Sequence, residues 1–104
     1  MSRVDVANAE SLAPGQCRTV EVQGRRLALV NFEGRYFAVD DRCPHRGAPL
    51  GAGHVDGERL FCPLHGWEFK VTTGACVTRP DLSVRSYPVA VEGGRVWVDL
   101  GTIS

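Results

Sequence analysis

Two short segments of this 104-residue chain each combine one thiol with one imidazole. Cys43 and His45 are separated by one residue, and Cys62 and His65 by two residues. Thiolates and imidazoles are the side chains that bind zinc and iron–sulfur clusters in proteins. Two matched segments of this kind predict a metal centre with four protein ligands, namely Cys43, His45, Cys62 and His65.

This ligand set fits two different metal centres. Two thiolates and two imidazoles satisfy a closed tetrahedral zinc site, and they also satisfy a two-iron cluster whose cysteines hold one iron and whose histidines hold the other. Zinc modules usually begin with a pair of cysteines and end with a pair of histidines, whereas each segment here is mixed. A mixed pair on each loop can divide its ligands between two metals, which favours the cluster. A zinc-stapled interaction module without a redox role is the remote alternative.

The two segments, with Gly66 after the second histidine, resemble the signature of Rieske-type [2Fe-2S] domains. The resemblance extends through Thr73-Gly74 and along Tyr87-Pro88-Val89, so it covers nearly the whole chain. It implies a stand-alone Rieske ferredoxin of the low-potential oxygenase type, with one [2Fe-2S] cluster per chain bound by the four residues. It also implies a proline-containing third loop at Arg79-Pro80 that covers the cluster.

The resemblance also bears on the reduction potential. Respiratory and photosynthetic members carry an additional cysteine on each loop, and the matching residues here are Ala48 and Leu64, so no bracing disulfide is expected. Those members place hydroxyl groups where this chain has Trp67 and Phe69. Because fewer hydrogen bonds to sulfur stabilise the reduced cluster less, we expect a potential near the low end of the Rieske span, on the order of −150 mV.

The elements that must position these ligands read as β-strands. Two-residue hydrophobic alternation or short apolar runs predict strands over 17–22, 27–32, 36–39, 87–91 and 96–100. One helical turn is predicted over 9–12, ended by Pro14-Gly15. Short strands with frequent Gly and Pro turns are typical of an antiparallel sandwich or barrel.

Between these strands the segment 41–80 has weak strand signals and many glycines, and it contains all three histidines. A loop-rich insertion of this length in a compact domain is usually functional. Together with the resemblance, the pattern predicts an all-β fold for a single domain, 1–104. In it, an antiparallel β-sandwich base domain carries an inserted, loop-rich cluster-binding subdomain, approximately 41–80.

Composition excludes several classes of function. The chain has 12 Lys+Arg and 12 Asp+Glu, so it lacks the excess positive charge of a nucleic-acid binder. Its apolar runs, such as 27–30, fall far short of the roughly 18 residues that span a membrane, and the first residues do not resemble a signal peptide. We therefore expect a cytoplasmic protein that binds neither nucleic acid nor membrane.

No catalytic motif of the chain's own stands out, so the sequence predicts an electron-transfer component of a multicomponent oxidoreductase and not an enzyme by itself. The resemblance implies a one-electron carrier from a flavin-dependent reductase to a terminal, ring-hydroxylating oxygenase. The alternative is the small Rieske subunit of an NAD(P)H-dependent nitrite reductase, bound to its large subunit.

Several other residues receive simpler interpretations. His54 is expected to be a solvated loop histidine, and Cys17 and Cys76 to be unpaired thiols. Arg46 is equally consistent with a docking face and with a solvated charge. The apolar Leu64 would suit transient contact with a partner if its loop is exposed.

Two further expectations concern the loops themselves. Trp67 is expected to pack beneath the cluster, because it alternates with two other apolar residues. Gly47 and Gly66 are expected to let backbone N–H groups approach the bridging sulfides, since glycine has no Cβ.

Overall fold

Ten β-strands and one short 3-10 helix make up the regular structure in the computed structural model, which describes residues 3–44, 47–64 and 66–100. The elements are β1 (Arg3–Asn8), β2 (Cys17–Val22), β3 (Arg25–Phe32), β4 (Arg35–Asp40), the 3-10 helix η1 (Leu50–Ala52), β5 (His54–Asp56), β6 (Arg59–Phe61), β7 (Glu68–Lys70), β8 (Ser86–Tyr87), β9 (Val89–Glu92) and β10 (Arg95–Asp99). Among the described residues, no helix is long and apolar enough to cross a bilayer.

The strands form three antiparallel sheets. Their orders are β1-β10-β9, β2-β3-β4-β8 and β5-β6-β7. Strands β3 and β4 are joined by the two-residue turn Glu33-Gly34, and both of its residues have positive φ, 54° and 86°. Such a turn matches the twist of the flanking strands, so it fixes the register in which Leu27 pairs with Asp40.

The central four-stranded sheet is buried on both faces along β3. Leu27 and Leu29 belong to one hydrophobic core, and Ala28 and Val30 belong to a second core. Side chains alternate across a strand, so this division requires apolar residues at every position. The continuous apolar run predicted as a central strand is therefore confirmed, and its physical reason is burial on two sides.

The two cores have different partners. The first core joins the central sheet to the β1-β10-β9 sheet, for example through Val96 and Val98. The second core joins it to the segment between β4 and β8, through Leu50, Leu60 and Phe69. This second core is the support on which the candidate site is built.

The all-β antiparallel fold and all five predicted strand regions are confirmed, although Pro88 divides the 87–91 region between β8 and β9. The helical turn predicted over 9–12 is wrong, because this segment forms turns and bends. The Tyr36 hydroxyl donates to the Ala9 carbonyl at 2.8 Å, and the Asn31 amide donates to the Leu12 carbonyl at 2.9 Å. Side chains from the central sheet therefore take the carbonyls that a continuing helix would use.

Strand β1 and the β5-β6-β7 sheet were not predicted. The sheet lies within the segment that reads as loop-rich, and each of its strands has only three residues. The expectation of a loop position for His54 is wrong, since it begins β5 and stacks on Phe61 with ring centroids 4.6 Å apart. Its side chain is exposed, as expected.

Candidate metal centre

The loop from Cys43 to Ala48, called here the Cys43 loop, is closed by two backbone hydrogen bonds. The Cys43 N–H donates to the Ala48 carbonyl at 2.9 Å. The Gly47 N–H donates back to the Cys43 carbonyl at 2.7 Å. Cys43 is therefore fixed at the start of a tight turn that ends with a glycine.

The loop from Cys62 to Trp67, called the Cys62 loop, repeats this pattern. The Cys62 N–H donates to the Trp67 carbonyl at 2.8 Å, and the Gly66 N–H donates to the Cys62 carbonyl at 3.0 Å. In both loops the bonds join the cysteine to the residues four and five positions later. The two segments that the sequence pairs by residue type are thus also paired by backbone structure.

The glycines of these loops meet a conformational requirement. Gly47 has φ of 72° and Gly66 has φ of 70°, in the left-handed region that other residues seldom adopt. Each glycine also uses its own N–H to close the loop. The N–H groups of Gly47 and Gly66 are therefore already used within the loops. The predicted approach of backbone N–H groups to the bridging sulfides concerns other N–H groups of these loops.

Both cysteines are buried in the second core. Cys43 has no exposed surface, and Cys62 is 3% exposed. They lie in one hydrophobic cluster with Leu60, Phe69 and Val71. All four cysteines lie in the described part of the chain, and none of them forms a disulfide.

Asp41 anchors the Cys43 loop to its surroundings. Its buried carboxylate accepts hydrogen bonds from the Thr19 hydroxyl at 2.8 Å and from the Gly51 N–H at 2.7 Å. Its carbonyl accepts from the Leu50 N–H at 2.6 Å. These bonds tie the end of β4 to β2 and η1, two residues before Cys43. Asp41 is not among the predicted site residues; its one sign in the sequence is an acidic side chain between a predicted strand and a candidate ligand.

The Cys62 loop is positioned instead by the three-stranded sheet β5-β6-β7. It connects β6 to β7, and an ion pair between Arg59 and Glu68, 2.7 Å apart, bridges these strands. Trp67 is half-buried against the second core, which agrees with the packing role predicted for it. Leu64 at the loop tip is 57% exposed. This exposure is the condition under which the sequence predicts that Leu64 contacts a partner.

A third segment, 74–84, lies against the Cys62 loop. The Arg79 guanidinium lies 6.0 Å from the ring of Trp67 and is paired with Asp81. At the base of this segment Gly74 has φ of 82°, and a Cβ there would lie 1.9 Å from the Val84 carbonyl oxygen. Only glycine fits this close approach; the resemblance includes Gly74, but the contact with Val84 is evident only in the structure.

Two of the cysteines lie outside the paired loops, and both act locally. The Cys17 thiol lies 3.6 Å and 3.5 Å from the carbonyls of Gly51 and Gly53. Burial, with a smaller contribution from the Asp41 charge, raises the pKa of this thiol. Cys76 is buried, and its sulfur accepts from the Arg79 N–H at 3.3 Å.

His45, His65 and Arg46 lie outside the described residues. The structure therefore brings together the two cysteines of the predicted ligand set in one core, on matching loops. Two buried thiols at the starts of equivalent turns suit a metal centre that receives one sulfur ligand from each loop. The donor chemistry of the four predicted ligands fits a mixed-ligand [2Fe-2S] cluster.

Comparison with known proteins agrees with this assignment. Residues 2–88 match the family model of the Rieske [2Fe-2S] domain. The ferredoxin component of a naphthalene 1,2-dioxygenase system from Pseudomonas aeruginosa is 36% identical, over 93% of this chain and 94% of the relative.

Two solved structures extend the comparison. The complex of reduced oxygenase and oxidized ferredoxin in carbazole 1,9a-dioxygenase contains a chain with a TM-score of 0.86 and 32% identity, covering 93% of this chain and 92% of that one. A protein from Mycobacterium tuberculosis described as an NADH-dependent nitrite reductase small subunit has a TM-score of 0.89 and 26% identity, covering 97% and 96%. The chain therefore belongs to the Rieske [2Fe-2S] domain family, and its cofactor is a [2Fe-2S] cluster.

Proposed function

We propose that this protein is a one-electron carrier whose cluster is bound by Cys43, His45, Cys62 and His65. The observation that carries the proposal is the pair of loops with the same backbone hydrogen bonds, each beginning at a buried cysteine. When bound, the cluster supplies a one-electron couple, with the thiolates on one iron and the imidazoles on the other. We further propose that 41–80 is the cluster-binding subdomain and the remainder of 1–104 is the base.

The chain's own residues set the conditions for that couple. Two neutral imidazoles in place of two thiolates reduce the negative charge of the ligand set, which raises the potential above that of all-cysteine ferredoxins. Trp67 and Phe69 carry no hydroxyl that could bond to a sulfur, which keeps the potential low within the Rieske range. The two backbone hydrogen bonds of each loop hold its cysteine at the start of the turn.

The proposed partners are a flavin-dependent reductase, which donates the electron, and a terminal ring-hydroxylating oxygenase, which receives it. This proposal is supported by the dioxygenase ferredoxin component with 36% identity and by the likeness to the ferredoxin bound to a carbazole oxygenase. We propose a cytoplasmic location, because four cysteines without a disulfide are typical of a reducing compartment.

The second candidate function is the small subunit of an NAD(P)H-dependent nitrite reductase. The TM-score of 0.89 to such a subunit favours it, and the chain has all four predicted ligands. In that function the protein would be a permanent part of an enzyme complex instead of a diffusing carrier. A large subunit that co-purifies stably with the protein from its source would support this alternative.

The test combines spectroscopy with reconstituted electron transfer. Purified protein should be brown, bleach with dithionite and then give the rhombic EPR signal of a mixed-ligand two-iron cluster. With the reductase and oxygenase components of a naphthalene 1,2-dioxygenase system, it should support NADH-dependent oxygenation. A colourless protein containing one zinc would contradict the proposal, and a reducible cluster that supports no transfer to the oxygenase would contradict the carrier role.

A pair of cysteine variants provides the control for the ligand assignment. Cys62→Ser should lose most of the cluster absorption, because a hydroxyl replaces a thiolate ligand. Cys17→Ser should retain it, since Cys17 lies outside the two paired loops and its thiol is directed to the carbonyls of Gly51 and Gly53. Equal loss in the two variants would contradict the assignment.

A further inference from the structure

A cleft of about 960 Å³ opens beside the Cys43 loop. Pro44 and Gly47 of that loop form part of its wall. Four arginines also line it: Arg25, Arg26, Arg42 and Arg85. Two aspartates, Asp40 and Asp41, also line it, so the cleft has two positive charges in excess.

Both aspartates are already engaged within the protein. Asp40 accepts a hydrogen bond from the Tyr87 hydroxyl at 2.5 Å. Asp41 is buried and accepts from Thr19 and Gly51. Neither carboxylate forms an ion pair with an arginine among the described residues. The negative charges of the cleft therefore do not neutralise its guanidinium groups by direct contact.

Three of the four guanidinium groups have no carboxylate partner among the described residues. Arg25 donates to the Tyr87 hydroxyl at 3.4 Å, and Arg85 donates to the Leu100 carbonyl at 3.2 Å. Arg42 lies against Gly47, where an added Cβ would be 3.3 Å from its Nε. Only Arg26 is paired, with Glu21 at 3.5 Å, and that pair is highly exposed.

The arrangement of these charges fits a protein surface better than a small anion. Arg26, Arg42 and Arg85 are exposed, and the open cleft that they line, at about 960 Å³, is far larger than one phosphate ion needs. A site for a single phosphate would need several donors aimed at one place. Carboxylates spread along an acidic segment match guanidinium groups spread along a cleft.

The position of the cleft suggests which protein surface it accepts. Arg42 directly precedes Cys43, so any chain bound in the cleft lies next to one loop of the proposed cluster site. The molecule as a whole has no net charge, so long-range attraction to a partner must come from local patches of this kind. We propose that the cleft docks an acidic segment of the redox partner, whose carboxylates pair with Arg25, Arg42 and Arg85. This inference rests on the proposed electron-carrier function.

The test measures binding of a fluorescein-labelled octaglutamate peptide to the cluster-containing protein by anisotropy at low salt. The wild-type protein should bind the peptide, and added NaCl should weaken binding. Arg42→Glu should weaken binding by about fivefold or more, the order expected for reversal of one partly exposed charge. Arg42→Gln should weaken it less, because it removes the charge without reversing it.

Arg35→Glu is the matched control. Arg35 is exposed and lies at the turn end of the β3-β4 hairpin, roughly 17 Å along the strand from the cleft end at 3.3 Å per residue. It makes the same change in net charge as Arg42→Glu. When the two variants are compared at an ionic strength of about 0.1 M, where the Debye length is about 10 Å, it should alter binding by less than about twofold because of its distance from the cleft. Equal effects of the two reversals, or no binding by the wild type, would overturn the proposal.

Inorganic phosphate serves as a competitor. If phosphate at micromolar concentration displaces the peptide, the cleft is a small-anion site and the proposal fails. Each variant must keep the visible spectrum of the cluster, which shows that its fold is intact. Peptide binding requires no electron transfer, so the two proposals fail separately. A protein whose cluster is reduced and reoxidised but which does not bind the peptide overturns only the docking site. A protein without a cluster overturns the proposed function.

Discussion

The Cys43 and Cys62 loops have the same backbone hydrogen bonds and different surroundings. At the Cys43 loop, Asp41 ties the chain to the central sheet, and the Arg42 side chain lies against Gly47. At the Cys62 loop, a Cβ added at Gly66 would meet no atom of the described residues within 4 Å, and Leu64 is exposed at the tip. The shared bonds position two thiols, while the different surroundings give one side of the site a cationic character and the other an apolar character.

The loops also differ in where the histidine falls. Counted from the cysteine, the third residue is His45 in one loop and Leu64 in the other, and the fourth is Arg46 or His65. The two turns therefore have equivalent backbone hydrogen bonds, but their histidines stand at positions that differ by one residue. The same offset places the exposed, apolar Leu64 in one loop where the other has the proposed ligand His45.

The largest effect is expected from removing the anchor that only the Cys43 loop has. Asp41→Ala would leave the Thr19 hydroxyl and the Gly51 N–H without their acceptor in a buried site. We expect the free energy of unfolding to fall by about 3 kcal/mol, with loss of cluster, because hydrogen bonds to buried charged groups are strong. Urea denaturation and the visible spectrum measure the two effects. Asp56→Ala, at an exposed carboxylate on β5, is the control and should change neither the free energy of unfolding nor the cluster spectrum. If Asp41→Ala changed them as little as Asp56→Ala does, Asp41 would not anchor the loop.

Alanine at the two loop glycines compares the loops directly. Gly47→Ala and Gly66→Ala each place a Cβ at a φ near 70°, which costs about 1 kcal/mol. Gly47→Ala should cost slightly more, because the added Cβ would lie 3.3 Å from Arg42 Nε and that side chain must move. Thermal unfolding of the two variants side by side measures the difference. A larger loss at Gly66 would show that the Cys62 loop is the more constrained of the two.

The parts of the fold that the sequence predicted are those with a regular hydrophobic period. Strand β3 was found because burial on both faces makes its apolar run continuous, and the ligand candidates were found because their residue types are rare in such a spacing. Strand β1 was missed because its pairing register shifts between Asp5 and Ala7, so its alternation breaks after Val6. Strands of three residues, as in β5, β6 and β7, are too short to show a period.

The supports of the site were harder to predict for another reason. Asp41 and Gly74 act through contacts with residues distant in the chain, namely Thr19 and Val84 respectively. A single Asp or Gly carries no pattern that reveals such a contact. The proposed ligands could therefore be predicted from the sequence, whereas the long-range contacts that hold their loops could not.

A smaller effect, on function alone, is expected at the apolar side of the site. Leu64→Ser should leave the cluster and the stability unchanged, because the side chain is 57% exposed. It should weaken association with the oxygenase by roughly threefold to tenfold, the order expected when a partner buries one leucine incompletely. Single-turnover electron transfer at varied oxygenase concentration measures this. Val91→Ser, 49% exposed on β9 of another sheet, is the control; equal effects of the two variants would argue against a docking role for Leu64.

The smallest effect is a pH dependence of stability on the Cys43 side. Burial, with the hydrogen bond and charge of Asp40, raises the pKa of Tyr87 above its ordinary value of 10.0. A raised pKa means that the folded state favours the protonated phenol, so this stabilisation is complete below pH 10.0 and is lost as the pH rises through the folded-state pKa. Tyr87→Phe should remove this alkaline decline in the free energy of unfolding.

The Cys17 thiol complicates this measurement in a predictable way. Its pKa is also raised, from 9.0, by burial and by Asp41, so it contributes a decline of the same sign that begins at lower pH. Urea denaturation between pH 7 and 11 should therefore compare Cys17→Ser with the Cys17→Ser/Tyr87→Phe double variant. The two curves should run parallel at neutral pH and converge above pH 10, because only the first retains the titrating phenol. Curves that stay parallel throughout would show that Tyr87 has the same pKa in the folded and unfolded chains. Tyr87 would then contribute nothing to the decline in the free energy of unfolding at alkaline pH.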